Sequence, residues 1–314
     1  MRILAIGTTS FIESCVKGLI AGGCVIEAIM SIPANELPDN SVDMGDLAKS
    51  IGVDYFETED INNEESLNII KRIGPDIIFS GWPKMISKEL LKIPSIGVIG
   101  SHPTDLPLNK GRHPLQWQIV LGLTHSKLSF FWMDEGVDSG ALIMQSPYHI
   151  ELDDTIVSLA ARLDEVAFNS SKAIGEILMD SGKLNCTKQE NIRTNTWRKR
   201  NRHDVLIDFR MNSEKILAIV RSFTLPYPCA TFIFESTLFH IVSGEISHLT
   251  EPIENIEPGK IFSIATDYIE VKSADKIVKL KTIENVSAII GTSKYIHPPT
   301  KYILKNPAEF GKLF

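Results

Sequence analysis

Apolar residues near the start of the chain come in short bursts. Residues 3–6 (Ile-Leu-Ala-Ile) form an unbroken apolar run ending at Gly7, which predicts a buried strand. Phe11, Ile12, Cys15, Val16, Leu19 and Ile20 then recur at helical spacing until Gly22-Gly23 stops them. Ser10 with Glu13 three residues on predicts a capping box at the start of that helix. Further strands are predicted over 24–30, 76–80 and 96–99, with a helix over 62–73 behind Asn62 and Asn63. Strands alternating with helices at this spacing predict an α/β fold. The expected form is Rossmann-like: a mostly parallel, doubly wound sheet with helices on both faces.

Beyond residue 100 the pattern predicts a helix over 113–122, a strand over 128–133 and a long amphipathic helix over 154–181 ending near Gly182. Composition changes after about residue 185. A polar, basic stretch is followed by a helix over 213–223 and by short strands that carry Val271, Val278, Leu280 and Ile283. The expected organisation is a catalytic domain over 1–190, then a connector with a small β-rich domain, a partial barrel, over 191–314.

Composition narrows the class. At 43% hydrophobic and 23% charged, the 314 residues are ordinary for a globular protein. No apolar run approaches the roughly 18–20 residues that span a bilayer. The opening segment is too short for a signal-peptide core. The expectation is a cytoplasmic protein with no membrane partner. A net charge of -7 argues against nucleic acid as partner. Cys15, Cys24, Cys186 and Cys229 form neither a CxxC nor a Cys/His cluster, so reduced thiols and no metal are expected. The first turn, Gly7-Thr8-Thr9-Ser10, lacks GxGxxG and gives no reason to invoke a dinucleotide.

The densest chemical signal is in residues 97–140. His102 falls just past the carboxyl end of a predicted strand, where open α/β sheets bind ligands, in a loop stiffened by Pro103 and Pro107. Asp134, Glu135 and Asp138 lie in a Gly-bounded loop after the next strand, able to bring a carboxylate to the same edge. A histidine beside a carboxylate is a general acid–base pair. Taken singly, each has a plainer reading: a loop histidine that holds structure, and a turn aspartate before Ser-Gly.

Several pieces, in order, resemble the folate-dependent formyltransferases: His102-Pro103-Thr104 with Leu106-Pro107, Gly111-Arg112-His113-Pro114, Trp117, and Met133-Asp134-Glu135-Gly136-Val137-Asp138-Ser139-Gly140. Trp197-Arg198-Lys199-Arg200, Ile207-Asp208-Phe209 and the run from Val220 to Pro228 are similar to the family's second-domain signature. The resemblance implies a donor, 10-formyltetrahydrofolate, and an amine acceptor. It carries His102 over as the catalytic histidine and Asp138 as its carboxylate partner. Attack of an amine on the formyl carbon needs a proton moved and an oxyanion stabilised. The donor site is implied at Gly81, Trp82, Pro83, Lys84, Met85 and Ile86, with Asp134 closing the other side. The family pattern is Asn-x-His with the Asn as oxyanion donor, whereas this chain has Gly100.

For the acceptor, the run 193–203, rich in Arg and Lys, suits a diphosphate, with Arg198, Lys199 and Arg200 as its contacts. Arg112 and His113 look like the sugar-nucleotide branch of the family. Tyr227 is placed to stack on a base or sugar. The expected function is N-formylation of a nucleotide-linked amino deoxysugar, dTDP-linked and destined for surface polysaccharide. A homodimer is a family-based expectation. Two other readings stay open: a methionyl-tRNA formyltransferase, and a non-catalytic folate- or nucleotide-sugar-binding module in which Gly100 reflects a lost site.

Overall fold

β1 (Ile3–Gly7) is buried at every residue, as a central parallel strand covered on both faces must be. α1 (Ser10–Ala21) follows it. Its N-cap is Thr9, which makes no side-chain cap bond, so the expected Ser10/Glu13 capping box does not form. Ser10 is already helical and bonds the Asp164 carboxyl, while Glu13 pairs with Lys17 at 2.6 Å. These longer-range partners take both side chains that the local motif needs.

The computed structural model describes residues 1–37, 41–190 and 194–305. β2 (Ile26–Ser31) is followed by α2 (Met44–Ile51) and β3 (Asp54–Glu57), two elements the hydrophobic pattern did not single out. α2 is short and is defined by its ends: Asp43 accepts from the amides of Gly45 and Asp46, and Gly52 closes it in the left-handed region. α3 (Glu64–Ile73) starts at Asn63, whose side chain accepts from Ser66. Next come β4 (Ile77–Gly81), α4 (Lys88–Leu91), β5 (Gly97–His102), β6 (Lys110–Gly111), α5 (Pro114–Leu121), β7 (His125–Trp132), β8 (Leu142–His149), α6 (Ile156–Ser181) and β9 (Thr196–Trp197).

The strands of the large sheet run β3-β2-β1-β4-β5-β7-β8. The first five are parallel, and β7 and β8 add antiparallel pairings at one edge. The mostly parallel sheet is as expected. β8 was not predicted, since its exposure varies too little along the strand for an alternating pattern to show. Strand order reverses at β1, between β2 and β4, which opens a ligand crevice beyond the carboxyl ends of the strands. Among the core rings of this sheet, Phe79 of β4 and Phe130 of β7 meet at 5.6 Å between centroids.

The chain divides into two units. The first comprises 1–114, 124–150 and 158–198; the second comprises 115–123, 151–157 and the chain from Lys199 on. The second unit holds α7 (Ser213–Ser222) and the strands β10 (Ala230–Phe234), β11 (Thr237–Ile246), β12 (Ile261–Ile264), β13 (Tyr268–Lys272) and β14 (Ile277–Thr282). Its sheet is antiparallel in the order β10-β11-β14-β13-β12. Its core includes Phe232 and Phe239, stacked at 4.7 Å, with Phe209 edge-on. Cys15, Cys24 and Cys229 are buried free thiols and Cys186 is exposed. Burial pushes the Cys15 thiol up to about 12. Among the described residues no helix is long and apolar enough to cross a membrane, and no three His, Cys, Asp or Glu side chains gather as a metal site.

Candidate active site

His102 is the last residue of β5, which ends three residues beyond the predicted strand because it continues its pairing with β7 as far as His102 and Ser129. The loop after it is tied down by its carbonyls. Tyr148 Oη donates to Pro103 O (2.7 Å), Ser129 Oγ to Thr104 O (2.6 Å) and Gln145 Nε2 to Leu106 O (3.0 Å). The Leu106–Pro107 peptide is cis, and Asn109 ends the loop at φ 58°. The Asn109 carbonyl lies 3.0 Å from His102 Nε2. A carbonyl only accepts, so Nε2 carries the hydrogen and the neutral ring has its lone pair on Nδ1.

Nδ1 faces Asp138 Oδ2 at 3.7 Å, with the histidine side chain 7% and the aspartate side chain 17% exposed. Asp138 lies in the loop between β7 and β8 at φ 50°, a conformation costly for a residue with a Cβ. Its Oδ2 accepts the Gly111 amide at 3.0 Å. Gly140 ends the loop where a Cβ would sit 1.6 Å from Trp132 O, so only glycine fits. Burial pushes the His102 pKa below its usual value. The Asp138 carboxylate and then the Asn109 carbonyl oppose that shift, and the Lys110 ammonium adds to it. At neutral pH the pair is therefore a neutral base with an open Nδ1 beside a carboxylate that would receive the imidazolium.

The pair opens on a cleft of about 360 Å³ at the carboxyl edge of the sheet. Gly81, Trp82, Pro83, Lys84, Met85 and Ile86 form one wall, and Asp134 and Val137 form another, with Arg112 and His113 also lining it. Trp82 does two jobs. It belongs to the core cluster that includes Leu4 and Ile78, and its buried indole N–H has no acceptor among the described residues. Lys84 reaches Glu59 O at 3.2 Å, and Asn62 holds the loop through Met85 O and the Ser87 amide. Asp134 spends Oδ1 within its own loop, accepting from Ser139 Oγ and the Gly136 amide.

Packing explains the glycine at 81: a Cβ there would lie 2.3 Å from Ile12 Cγ1, so α1 is what demands it. The space beside Gly100 is filled by the protein itself: a Cβ would meet Met133 Cγ at 2.7 Å and Phe131 Cζ at 3.3 Å. Arg200, expected at a diphosphate, is 4% exposed. Its guanidinium lies 4.4 Å from the Phe223 ring and 4.9 Å from the Trp117 ring, and donates to Asp204 O at 2.8 Å. It is a packing element of the second unit.

Arg198 and Lys199 are exposed and do not line the cleft, and the half-buried Tyr227 belongs to the second unit. Arg193 of the basic run lies outside the described residues. Sequence reasoning gave no role to Asn109, Met133, Gln189 or Asn195. Asn109 carried one usable signal, since an Asn two residues before a Gly tolerates positive φ at a turn.

The Formyl transferase family matches residues 1–172, and the Formyl transferase C-terminal domain matches residues 199–293. A methionyl-tRNA formyltransferase of Caldicellulosiruptor saccharolyticus is 28% identical over 223 residues, 71% of this chain and 70% of that protein. Another, from Caldanaerobacter subterraneus subsp. tengcongensis, is 26% identical over 306 residues, 94% of this chain and 96% of that one. The structure of an N-formyltransferase from Helicobacter canadensis, in complex with folinic acid and dTDP-3-aminofucose, covers 90% of this chain and 99% of its own at 15% identity, with a TM-score of 0.66. Family matches over both parts of the chain define a formyl-group transferase. The chain belongs to the formyl transferase family and is a folate-dependent formyltransferase.

Proposed function

We propose that this cleft transfers a formyl group from 10-formyltetrahydrofolate to the amino group of a nucleotide-linked amino deoxysugar, a dTDP sugar destined for surface polysaccharide. The observation that carries the reading is the buried His102, its Nδ1 open toward Asp138 inside a cleft at the sheet's carboxyl edge. The wall from Gly81 to Ile86 fits a pterin, which needs apolar faces and polar partners. Trp82 offers both a packed ring and a buried N–H still lacking an acceptor. Asp134 faces that wall from the other loop. The bound donor supplies the formyl group on its N10. His102 Nδ1 takes the proton that the attacking amine gives up, Asp138 stabilises the resulting imidazolium, and the proton passes to N10 as its bond to the formyl carbon breaks and tetrahydrofolate leaves. The catalytic domain is taken as residues 1–190, with the connector and β-rich domain over 191–314. The enzyme works in the cytoplasm as a homodimer, without nucleic-acid or membrane partners.

The sugar acceptor is favoured by the chain's net charge of -7 and by its likeness to the dTDP-3-aminofucose-bound N-formyltransferase. Exposed Arg112, at the cleft, and exposed Arg198 of the same unit are the diphosphate contacts, and His113 lines the acceptor side. The sequence relatives favour a second acceptor, methionyl-tRNA. Mass spectrometry of products from a panel of amino-sugar nucleotides and charged initiator tRNA, each with 10-formyltetrahydrofolate, separates the two. Formylated sugar nucleotide, with acceptor affinity only weakly dependent on salt, is the expected result. Formylated tRNA with a steep salt slope overturns the acceptor assignment.

A further inference from the structure

The described residues on either side of 191–193, after α6, bond to the loops of the candidate site. Thr187 exchanges both backbone hydrogen bonds with Leu142, 2.8 Å each, and β9 pairs in parallel with β6. Two side-chain amides of this strap reach into the loops that carry the chemistry. Gln189 Nε2 donates to the carbonyls of Asp138 (2.9 Å) and Gly140 (2.8 Å). Asn195 Oδ1 accepts the Asn109 amide at 3.0 Å and its Nδ2 donates to Asn109 Oδ1 at 2.8 Å, while its own carbonyl accepts the Lys110 amide at 3.2 Å.

The two residues held are not arbitrary. Asn109 and Asp138 both have positive φ, which Asn and Asp adopt more readily than other residues with a Cβ but which still costs energy unless the surroundings hold it. Each is also the partner of one nitrogen of the same imidazole. The Asn109 carbonyl takes the Nε2 hydrogen of His102 and the Asp138 carboxylate faces Nδ1. We propose that Gln189 and Asn195 are positioning residues for formyl transfer: Asn195, through Asn109, fixes the tautomer of His102, and Gln189 fixes the carboxylate of Asp138. This rests on the reading of His102 and Asp138 as the proton-transfer pair. Amides suit both places. Gln189 must present N–H groups to two carbonyls, where a carboxylate would set like charges together, and Asn195 must both donate and accept.

The strap also has a predictable effect on pH dependence. The charged or titratable groups around His102 are Asp138 and Lys110, with Lys84, Arg112, His113 and Asp134 lining the same cleft. Asp138 and the Asn109 carbonyl both favour the imidazolium. Loosening either partner therefore lowers the His102 pKa, and the acid limb of kcat/KM moves to lower pH.

The test uses the full chain with the donor and an accepted amine. Gln189→Leu, Gln189→Glu, Asn195→Ala and Asn195→Asp are compared with wild type, alongside His102→Ala and Asp138→Asn, and with Lys188→Ala as the control from the exposed face of the strap. Expected for Gln189→Leu and Asn195→Ala is a kcat lowered roughly tenfold to 10²-fold, as for a misplaced catalytic group. KM should stay within about threefold, since these side chains are assigned no ligand contact. The acid limb should move down, and Lys188→Ala should match wild type. Should Gln189→Leu not fold, the isosteric Gln189→Glu gives the same comparison, as Asn195→Asp does for Asn195→Ala. Wild-type kcat in the strap variants, or a loss that tracks Tm with an unmoved acid limb, overturns the proposal. If His102→Ala and Asp138→Asn lose turnover while the strap variants keep it, this inference fails alone. If His102→Ala and Asp138→Asn also keep turnover, the reading of the pair fails with it.

Discussion

The two units use polar groups and strained backbone in opposite ways. In the second unit, buried cations serve packing. Arg200 is held against the rings of Trp117 and Phe223, and the buried Lys272 ammonium donates to the carbonyls of Ser273 and Ala274. Its non-glycine residues at positive φ are Glu235, at the turn between β10 and β11, and Asn255, ahead of β12. In the first unit, Asn109, His113 and Asp138 share that conformation, and all three lie within the two loops that build one cleft. Polar groups that satisfy only one another stabilise a fold. Polar groups held in costly conformations around an open nitrogen are poised for a reaction.

The largest expected effect tests the reactive side of that contrast. His102→Ala and Asp138→Asn should each lower kcat by roughly 10²–10⁴-fold in single-turnover measurements, with the fold intact by circular dichroism. Near wild-type turnover in both would move the chemistry elsewhere.

Arg200→Ala tests the structural side. Loss of two ring faces, each worth roughly 0.5–2 kcal/mol, should lower Tm while kcat per folded molecule stays constant. A raised acceptor KM with an unmoved Tm would return Arg200 to the diphosphate.

Gly100→Asn should cost roughly 1–3 kcal/mol of stability, because Met133 and Phe131 occupy the space. It should bring no large gain in rate, and adding Met133→Ala should restore the stability. A single-turnover rate that rises toward 10²-fold would mean that an oxyanion donor was missing, and would favour the binding-module reading.

The smallest effect is a displacement of the pH profile. In the proposed reaction the neutral ring is the base, and burial outweighs the carboxylate and the carbonyl in setting its lowered pKa. Activity should persist as pH falls below about 6.5, the value of a free imidazole, and be lost on crossing the lower His102 value. An acid limb at or above 6.5 would show that Asp138 dominates.

Elements whose burial follows a simple period were legible from residues alone. β1, α3, β4, the long α6 and α7 lie within a few residues of their predicted spans. α2, β3 and β8 were not, being short or half-exposed. Within the site, the residues alone pointed to His102 at a strand end and to a carboxylate among Asp134, Glu135 and Asp138 in a Gly-bounded loop, while the choice of Asp138 came from the family resemblance. Arg200 was misread: a basic run suggests phosphate, and nothing local reveals that one of its members is enclosed by Trp117, far back in the chain. Gln189 and Asn195 have no periodicity and no charge. Their partners lie 51, 49 and 86 residues away, beyond any local pattern.

Cys186 precedes the Thr187–Leu142 bridge by one residue and is exposed, while Cys15, Cys24 and Cys229 are enclosed. A thiol-directed fluorophore or spin label will thus select a single place on the native chain, at the root of the strap, with no engineered cysteine needed. The protein carries its own attachment point for watching that segment in real time while donor and acceptor come and go.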